Sequence, residues 1–147
     1  MPLPQDGAAG LPPTILVVDD DADARLIYSE YLRGQGWLTF TAADGRSALD
    51  KAEELAPDAI VLDLAMPRVD GLTALKQLRE SSWTANIRVI VLTAYDGIRD
   101  EASAAECDAF LVKPCAPETL VLQLRGLFSV PPATRLGQHL LDRRRPS

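Results

Sequence analysis

The chain has 147 residues, 47% of them hydrophobic, which suits one domain with a well-buried core and excludes an extended disordered chain. Its formal net charge is −6 and its pI about 4.7, so it lacks the overall basic balance on which nucleic-acid binding draws. No apolar run approaches the ~20 residues of a membrane helix, and the expectation is a cytoplasmic protein with neither membrane nor direct nucleic-acid contact.

Residues 1–13 are rich in Pro, Gly and Ala and lack a basic segment followed by an apolar one, so they read as a disordered lead-in rather than a signal peptide. Thr14–Val18 is a short β-branched run of the kind found in buried strands. A helix follows with Ala24, Ile27, Tyr28, Tyr31 and Leu32 on one stripe, closed by Gly34 and Gly36. Leu38–Ala42 is a more polar strand, suited to a sheet edge, and Gly45–Leu55 a helix with Ala48, Leu49, Ala52 and Leu55 on one side.

Ala59–Leu62 reads as a third strand, Gly71–Glu80 as a helix with Leu72, Leu75 and Leu78 inward, and Arg88–Leu92 as a fourth strand. Gly97–Ala105 is a weak helix whose only large apolar residue is Ile98. Ala109–Val112 is a fifth strand, and Pro117–Phe128 a helix with Pro at its start and Leu120, Val121, Leu124, Leu127 and Phe128 inward. After Phe128, Pro131-Pro132 breaks the helix, and residues 129–147 read as a short tail with no output domain. Leu136, Leu140 and Leu141 in it hint at one amphipathic turn, and Arg143–Arg145 at a solvated end. Cys107 and Cys115 form no C-x-x-C pair and no metal-ligand spacing, which argues for reduced, half-buried thiols.

Alternating strands and helices imply an α/β, doubly wound parallel sheet, and right-handed crossovers leave the flavodoxin-like (βα)5 strand order 2-1-3-4-5 as the common solution for five strands. Ligands of such sheets bind beyond the carboxyl ends of the strands. Asp19-Asp20-Asp21 follow strand 1, Asp63 follows strand 3, Thr93 strand 4, and Lys113-Pro114 strand 5. Two like charges ~5 Å apart repel by about 3 kcal/mol at an effective dielectric near 20. A hard divalent cation on oxygen ligands removes that cost, and Asp19, Asp20 and Asp63 suit Mg²⁺. Lys113 and the Thr93 hydroxyl can meet phosphoryl oxygens. The set suits phosphoryl transfer to a carboxylate, forming an aspartyl phosphate.

Taken together, Ile15-Leu16-Val17-Val18-Asp19-Asp20-Asp21, Asp63-Leu64-Ala65-Met66-Pro67 with Asp70-Gly71, Val91-Leu92-Thr93-Ala94 and Phe110-Leu111-Val112-Lys113-Pro114 resemble the receiver domain of bacterial two-component response regulators. The resemblance runs over residues 14–128. It implies that Asp63 is the phosphoacceptor, and that Asp19, Asp20 and Asp63, with the Ala65 backbone carbonyl, hold Mg²⁺ (or Mn²⁺). It further implies that Lys113 binds the phosphate and that Thr93 and Phe110 form a switch, with the bond before Pro114 cis. The implied partners are a sensor histidine kinase or histidine phosphotransfer protein and a downstream protein effector, met through a surface of helix 4, strand 5 and helix 5. A monomer or weak dimer is expected, one that promotes its own phosphorylation and dephosphorylation without being a conventional enzyme.

The chain departs from the family's pattern at Glu106, where Gly is usual; a φ above zero there costs roughly 1 kcal/mol. Ala65 and Tyr95 occupy positions that resemble tuners of phosphate lifetime, with Tyr95 bulky enough to shield the acyl phosphate. Plainer readings stand beside these: Asp20 and Asp21 as helix caps, Thr93 as a strand end, Phe110 as core, and His139 as a solvated bystander. Rival functions are a haloacid-dehalogenase-like phosphotransferase, which would have a second Asp where Ala65 stands, and an FMN binder, whose phosphate three aspartates would repel. A degenerate receiver serving as a phosphorylation-independent interaction module is the remaining alternative.

Overall fold

The computed structural model describes residues 10–66 and 71–131. Five strands form one parallel sheet: β1 (Thr14–Val18), β2 (Leu38–Ala42), β3 (Ala59–Leu62), β4 (Arg88–Thr93) and β5 (Ala109–Val112), in the order β2-β1-β3-β4-β5. Helices α1 (Ala22–Gly34), α2 (Gly45–Leu55), α3 (Gly71–Glu80), α4 (Arg99–Ala104) and α5 (Pro117–Phe128) link and follow them. The expected flavodoxin-like topology is therefore the observed one.

Alternate strand residues feed two cores. Leu16, Val18, Ile60, Leu62, Val89 and Val91 meet α2, α3 and α4 through Ala48, Ala52, Leu75, Leu78 and Ala102. Ile15, Val17, Val61, Ile90 and Leu92 face the other way, onto Tyr28 and Leu32 of α1 and Leu120, Leu124 and Phe128 of α5. The inner strands are buried on both faces, which is why their sequences are continuously apolar rather than alternating.

Two expectations shift. Ile27 is 56% exposed, because α1 turns Tyr28, Ser29 and Leu32 inward and leaves Ile27 at the margin of its buried face. The helix expected over Gly97–Ala105 is a six-residue α4 preceded by a 3-10 turn, Asp96–Ile98. Neither segment has a side-chain cap, and Ala102 is the only buried residue of α4.

Glu106 takes φ 65, as its turn demanded. Its carbonyl accepts hydrogen bonds from Nε (3.1 Å) and Nη2 (2.8 Å) of Arg79, a 5%-exposed residue of α3. The same guanidinium donates to the carbonyls of Ala85 and Ile87 and pairs with Asp108 at 3.1 Å. At the N-terminal side, Pro13 is buried and its carbonyl accepts from Leu38 N–H, so the chain already packs against β2 one residue before β1 begins. The readings made for residues 1–9, for Pro67 and Asp70, and for Leu136, His139, Leu140, Leu141 and Arg143–Arg145 lie outside the described residues. Among the described residues no helix is long and apolar enough to cross a membrane.

Candidate functional site

The site begins with strand register. Val18 of β1 pairs with Leu62 of β3, so Asp19 and Asp63 leave adjacent strands side by side. Asp63 N–H donates to the Val18 carbonyl at 3.0 Å and Asp19 N–H to that of Ala42 at 3.1 Å, so the sheet itself holds both backbones. Asp19 is 4% and Asp63 6% exposed, whereas Asp20 is exposed. One carboxylate oxygen from each of Asp19, Asp20 and Asp63 lies within 4.8 Å of the others. Capping of α1 falls to Asp21, whose side chain accepts from Asp23 N–H.

Lys113 arrives from the end of β5, its N–H bonded to the Thr93 carbonyl at 2.8 Å. Its Nζ stands 2.6 Å from Asp19 Oδ2 and 3.4 Å from Asp63 Oδ2. The other oxygens are held by backbone: Asp63 Oδ1 accepts from Ala65 N–H and Asp19 Oδ1 from Asp21 N–H, each at 2.9 Å. The Lys113–Pro114 bond is cis. Burial pulls the Lys113 ammonium down, but the hydrogen bond to Asp19 and the charges of Asp63 and Asp19 outweigh it, so the lysine is held above its ordinary value. Burial pushes the Asp19 carboxyl up. The 2.6 Å contact with a charged lysine opposes that rise, and the ionised pair is the state its geometry describes.

An oxygen-only set of three carboxylates fits a hard divalent cation, Mg²⁺ or Mn²⁺, and would not select a soft metal. Thr93 is fully buried at the end of β4, its hydroxyl accepting from Tyr95 N–H at 3.4 Å. Phe110 is half-buried on β5, against the core shared by α2, α3 and α4. Tyr95 is 60% exposed, with its ring lying against Gly97.

The structure thus brings Asp19, Asp20, Asp63 and Lys113 into one cluster. Thr93 lies at its strand-4 wall, and Phe110 is set back along β5.

Three further contacts carry no signal in the sequence. Arg25 Nη1 donates to the Asp19 carbonyl at 2.8 Å, and Tyr28 O–H to that of Cys115 at 2.7 Å, tying α1 to the loops that carry Asp19 and Lys113. Arg99 stacks on Phe110. Tyr28 stood on the apolar stripe, so its hydroxyl drew no attention; Arg25 and Arg99 carry no local signal, because their partners are set by tertiary packing. Beside Lys113 opens a cleft of about 670 Å³, lined by Asp21, Ile27, Tyr28, Ala94 and Pro117 among others.

A family model described as the response regulator receiver domain matches residues 15–125. The chain is 39% identical over 122 residues to the probable transcriptional regulatory protein TcrX of Mycobacterium tuberculosis, covering 82% of this chain and 51% of that protein. It is 40% identical over 119 residues to the response regulator MprA of Mycolicibacterium vanbaalenii, covering 80% and 51%. The chain therefore spans about half the length of these curated relatives.

Among solved structures, the chemotaxis protein CheY4 of Vibrio cholerae superposes with a TM-score of 0.73 at 34% identity, over 78% of this chain and 97% of that one. The receiver domain of the sensor histidine kinase PA1611 of Pseudomonas aeruginosa gives 0.75 at 28% identity, over 80% and 98%. That neighbour was solved with a magnesium ion coordinated in its active-site cleft.

Proposed function

Because the chain belongs to the response regulator receiver domain family, whose members are signalling modules, we propose that it accepts a phosphoryl group on Asp63 from a phosphohistidine. The donor is a sensor histidine kinase or a histidine phosphotransfer protein. One observation carries the reading. A single ammonium, Lys113 Nζ, bridges Asp19 Oδ2 and Asp63 Oδ2 at 2.6 and 3.4 Å inside a three-carboxylate cluster. Family membership sets aside the dehalogenase-like reading.

A carboxylate oxygen of Asp63 forms the new P–O bond as the P–N bond of the donor breaks; the departing imidazole nitrogen keeps the bonding pair and takes up a proton. Asp19, Asp20 and Asp63, with the Ala65 carbonyl, are the groups that would hold Mg²⁺ or Mn²⁺, which when bound offsets charge on the phosphoryl oxygens. Lys113 leaves its two carboxylates to meet one phosphoryl oxygen, and the Thr93 hydroxyl donates to another. Later attack by water on the acyl phosphate returns Asp63 to its free state. The cleft beside Lys113, lined on its α1 side by Ala24, Tyr28 and the exposed Ile27, is where the phosphohistidine of the donor would approach.

Phosphorylation adds roughly −1.5 to −2 charges to an acidic site. Drawing Thr93 toward that charge frees space beside β5 for Phe110, and the surface of α4, β5 and α5 changes shape for a downstream protein effector.

Acetyl phosphate with Mg²⁺ should add one hydroxylamine-labile phosphoryl mass to the wild type and none to Asp63→Asn. Equal labelling of that variant overturns the assignment.

A further inference from the structure

Phe110 does not stand alone in its half-buried position. The Arg99 guanidinium carbon lies 4.4 Å from the centre of its ring. The guanidinium is itself fixed, since Nε and Nη2 of Arg99 both reach Oδ1 of Asp96, at 3.0 and 2.9 Å. Asp96 opens the 3-10 turn and Arg99 opens α4, so this small bracket joins the start of the helix to the middle of β5.

The bracket acts where little else does. α4 has six residues, one of them buried, and no side-chain cap at its start. Ile98 is only partly buried beside it. A guanidinium over an aromatic face therefore joins Ile98 and Ala102 in docking the N-terminal end of α4 on β5. Asp96 and Arg99 are about half to two-thirds exposed, so the bracket can open without leaving a charge buried and unpaired.

We propose that Asp96, Arg99 and Phe110 form a latch that holds the unphosphorylated conformation, and that the latch opens when Phe110 follows Thr93. This rests on the proposed phosphoacceptor role of Asp63 and adds to it the contact that sets the resting equilibrium. The flat Arg99 fork stabilises only the state in which the Phe110 ring lies beneath it. Any contact specific to one of two states shifts their populations, and removing it shifts them back.

Arg99→Gln keeps the helix start and gives up both the stack and the ion pair. In metal-free, unphosphorylated protein its α4 and β5 amide resonances should move part of the way toward the positions they occupy in wild type bearing beryllofluoride and Mg²⁺. The population of that second state should rise about two- to fivefold, the size expected for a partly exposed cation–π contact. Asp96→Asn should move the same resonances in the same direction and less far. In a Phe110→Leu background Arg99→Gln should add nothing.

Equal shifts from Arg99→Gln with and without the Phe110 ring, or no shift in either, overturn the latch while leaving the Asp63 reading intact. If wild type with Mg²⁺ and beryllofluoride shows no change near Asp63, the phosphoacceptor reading falls and the latch with it.

Discussion

Gly71, the first residue of α3, lies flat against the backbone of Asp63. A Cβ placed on Gly71 would stand 2.1 Å from the Asp63 carbonyl oxygen and 2.4 Å from Leu64 Cα. Both are backbone atoms, so no side-chain rotation relieves the clash. Gly71→Ala should therefore displace the acceptor loop, lower stability by about 1–3 kcal/mol and slow acetyl phosphate labelling of Asp63 at least several-fold. Intact-mass time courses and urea unfolding measure both, and wild-type labelling in this variant would contradict the tight approach.

Asp19 and Asp20 should separate in their effects. Asp20 is exposed and adds repulsion to the cluster, whereas Asp19 is buried and held by Lys113. Asp20→Asn should raise the metal-free melting temperature slightly, and Asp19→Asn should lower it. Both should weaken the stabilisation given by Mg²⁺, which for the wild type reaches about 2.7 kcal/mol at a hundredfold excess over Kd. Thermal melts with and without Mg²⁺ decide this; an unchanged Mg²⁺ response in both variants would refute the proposed ligand set.

Arg79 should behave as a core residue despite its charge. Its guanidinium donates to the carbonyls of Ala85, Ile87 and Glu106 and to Asp108. Arg79→Met has similar length but strips those partners, so a loss of about 3 kcal/mol or more is expected. Hydrogen exchange should speed most in the α4–β5 turn that carries Glu106. A loss below 1 kcal/mol in denaturant titration would show that the turn is held by other means.

Stability should fall at alkaline pH partly through Tyr28. Burial pushes its phenol above the ordinary value of 10.0, with the charge on Cys115 adding to the rise. The folded state then holds the proton more tightly than the unfolded one. Between the unfolded and folded pKa values the native chain binds more protons, so unfolding free energy declines as pH rises through that window. Tyr28→Phe loses the 2.7 Å hydrogen bond to the Cys115 carbonyl, costing about 1 kcal/mol at neutral pH, but removes this part of the alkaline decline. Urea titrations from pH 7 to about 11 should show the two curves converging; parallel curves would exclude Tyr28 as a contributor.

Much of this protein was legible in its residue order. Five short strand runs, four of them apolar and β2 more polar, alternating with helices of which all but α4 carry an inward stripe, specified five β–α units and their topology. Asp19, Asp20, Asp63 and Lys113 could be placed together because a parallel sheet delivers every strand's carboxyl end to one edge. The unusual Glu106 could be picked out as well, and it does take a positive φ.

Other features were decided only when the chain closed on itself. Nothing along the sequence distinguishes Arg79, buried and bound to three carbonyls, from Arg125 near the end of α5, or marks Arg99 as the residue that would stack on Phe110. Likewise Ile27 shares the apolar stripe of α1 yet stands exposed, while Gly71 meets the backbone of Asp63, eight positions earlier in the chain. Hydrophobic periodicity and strand ends are local or topological properties, carried by neighbours in sequence and by the handedness of the crossovers. The partner of a long cationic side chain and the clearance at a glycine depend on angstrom-scale distances between distant segments, and those exist only after packing.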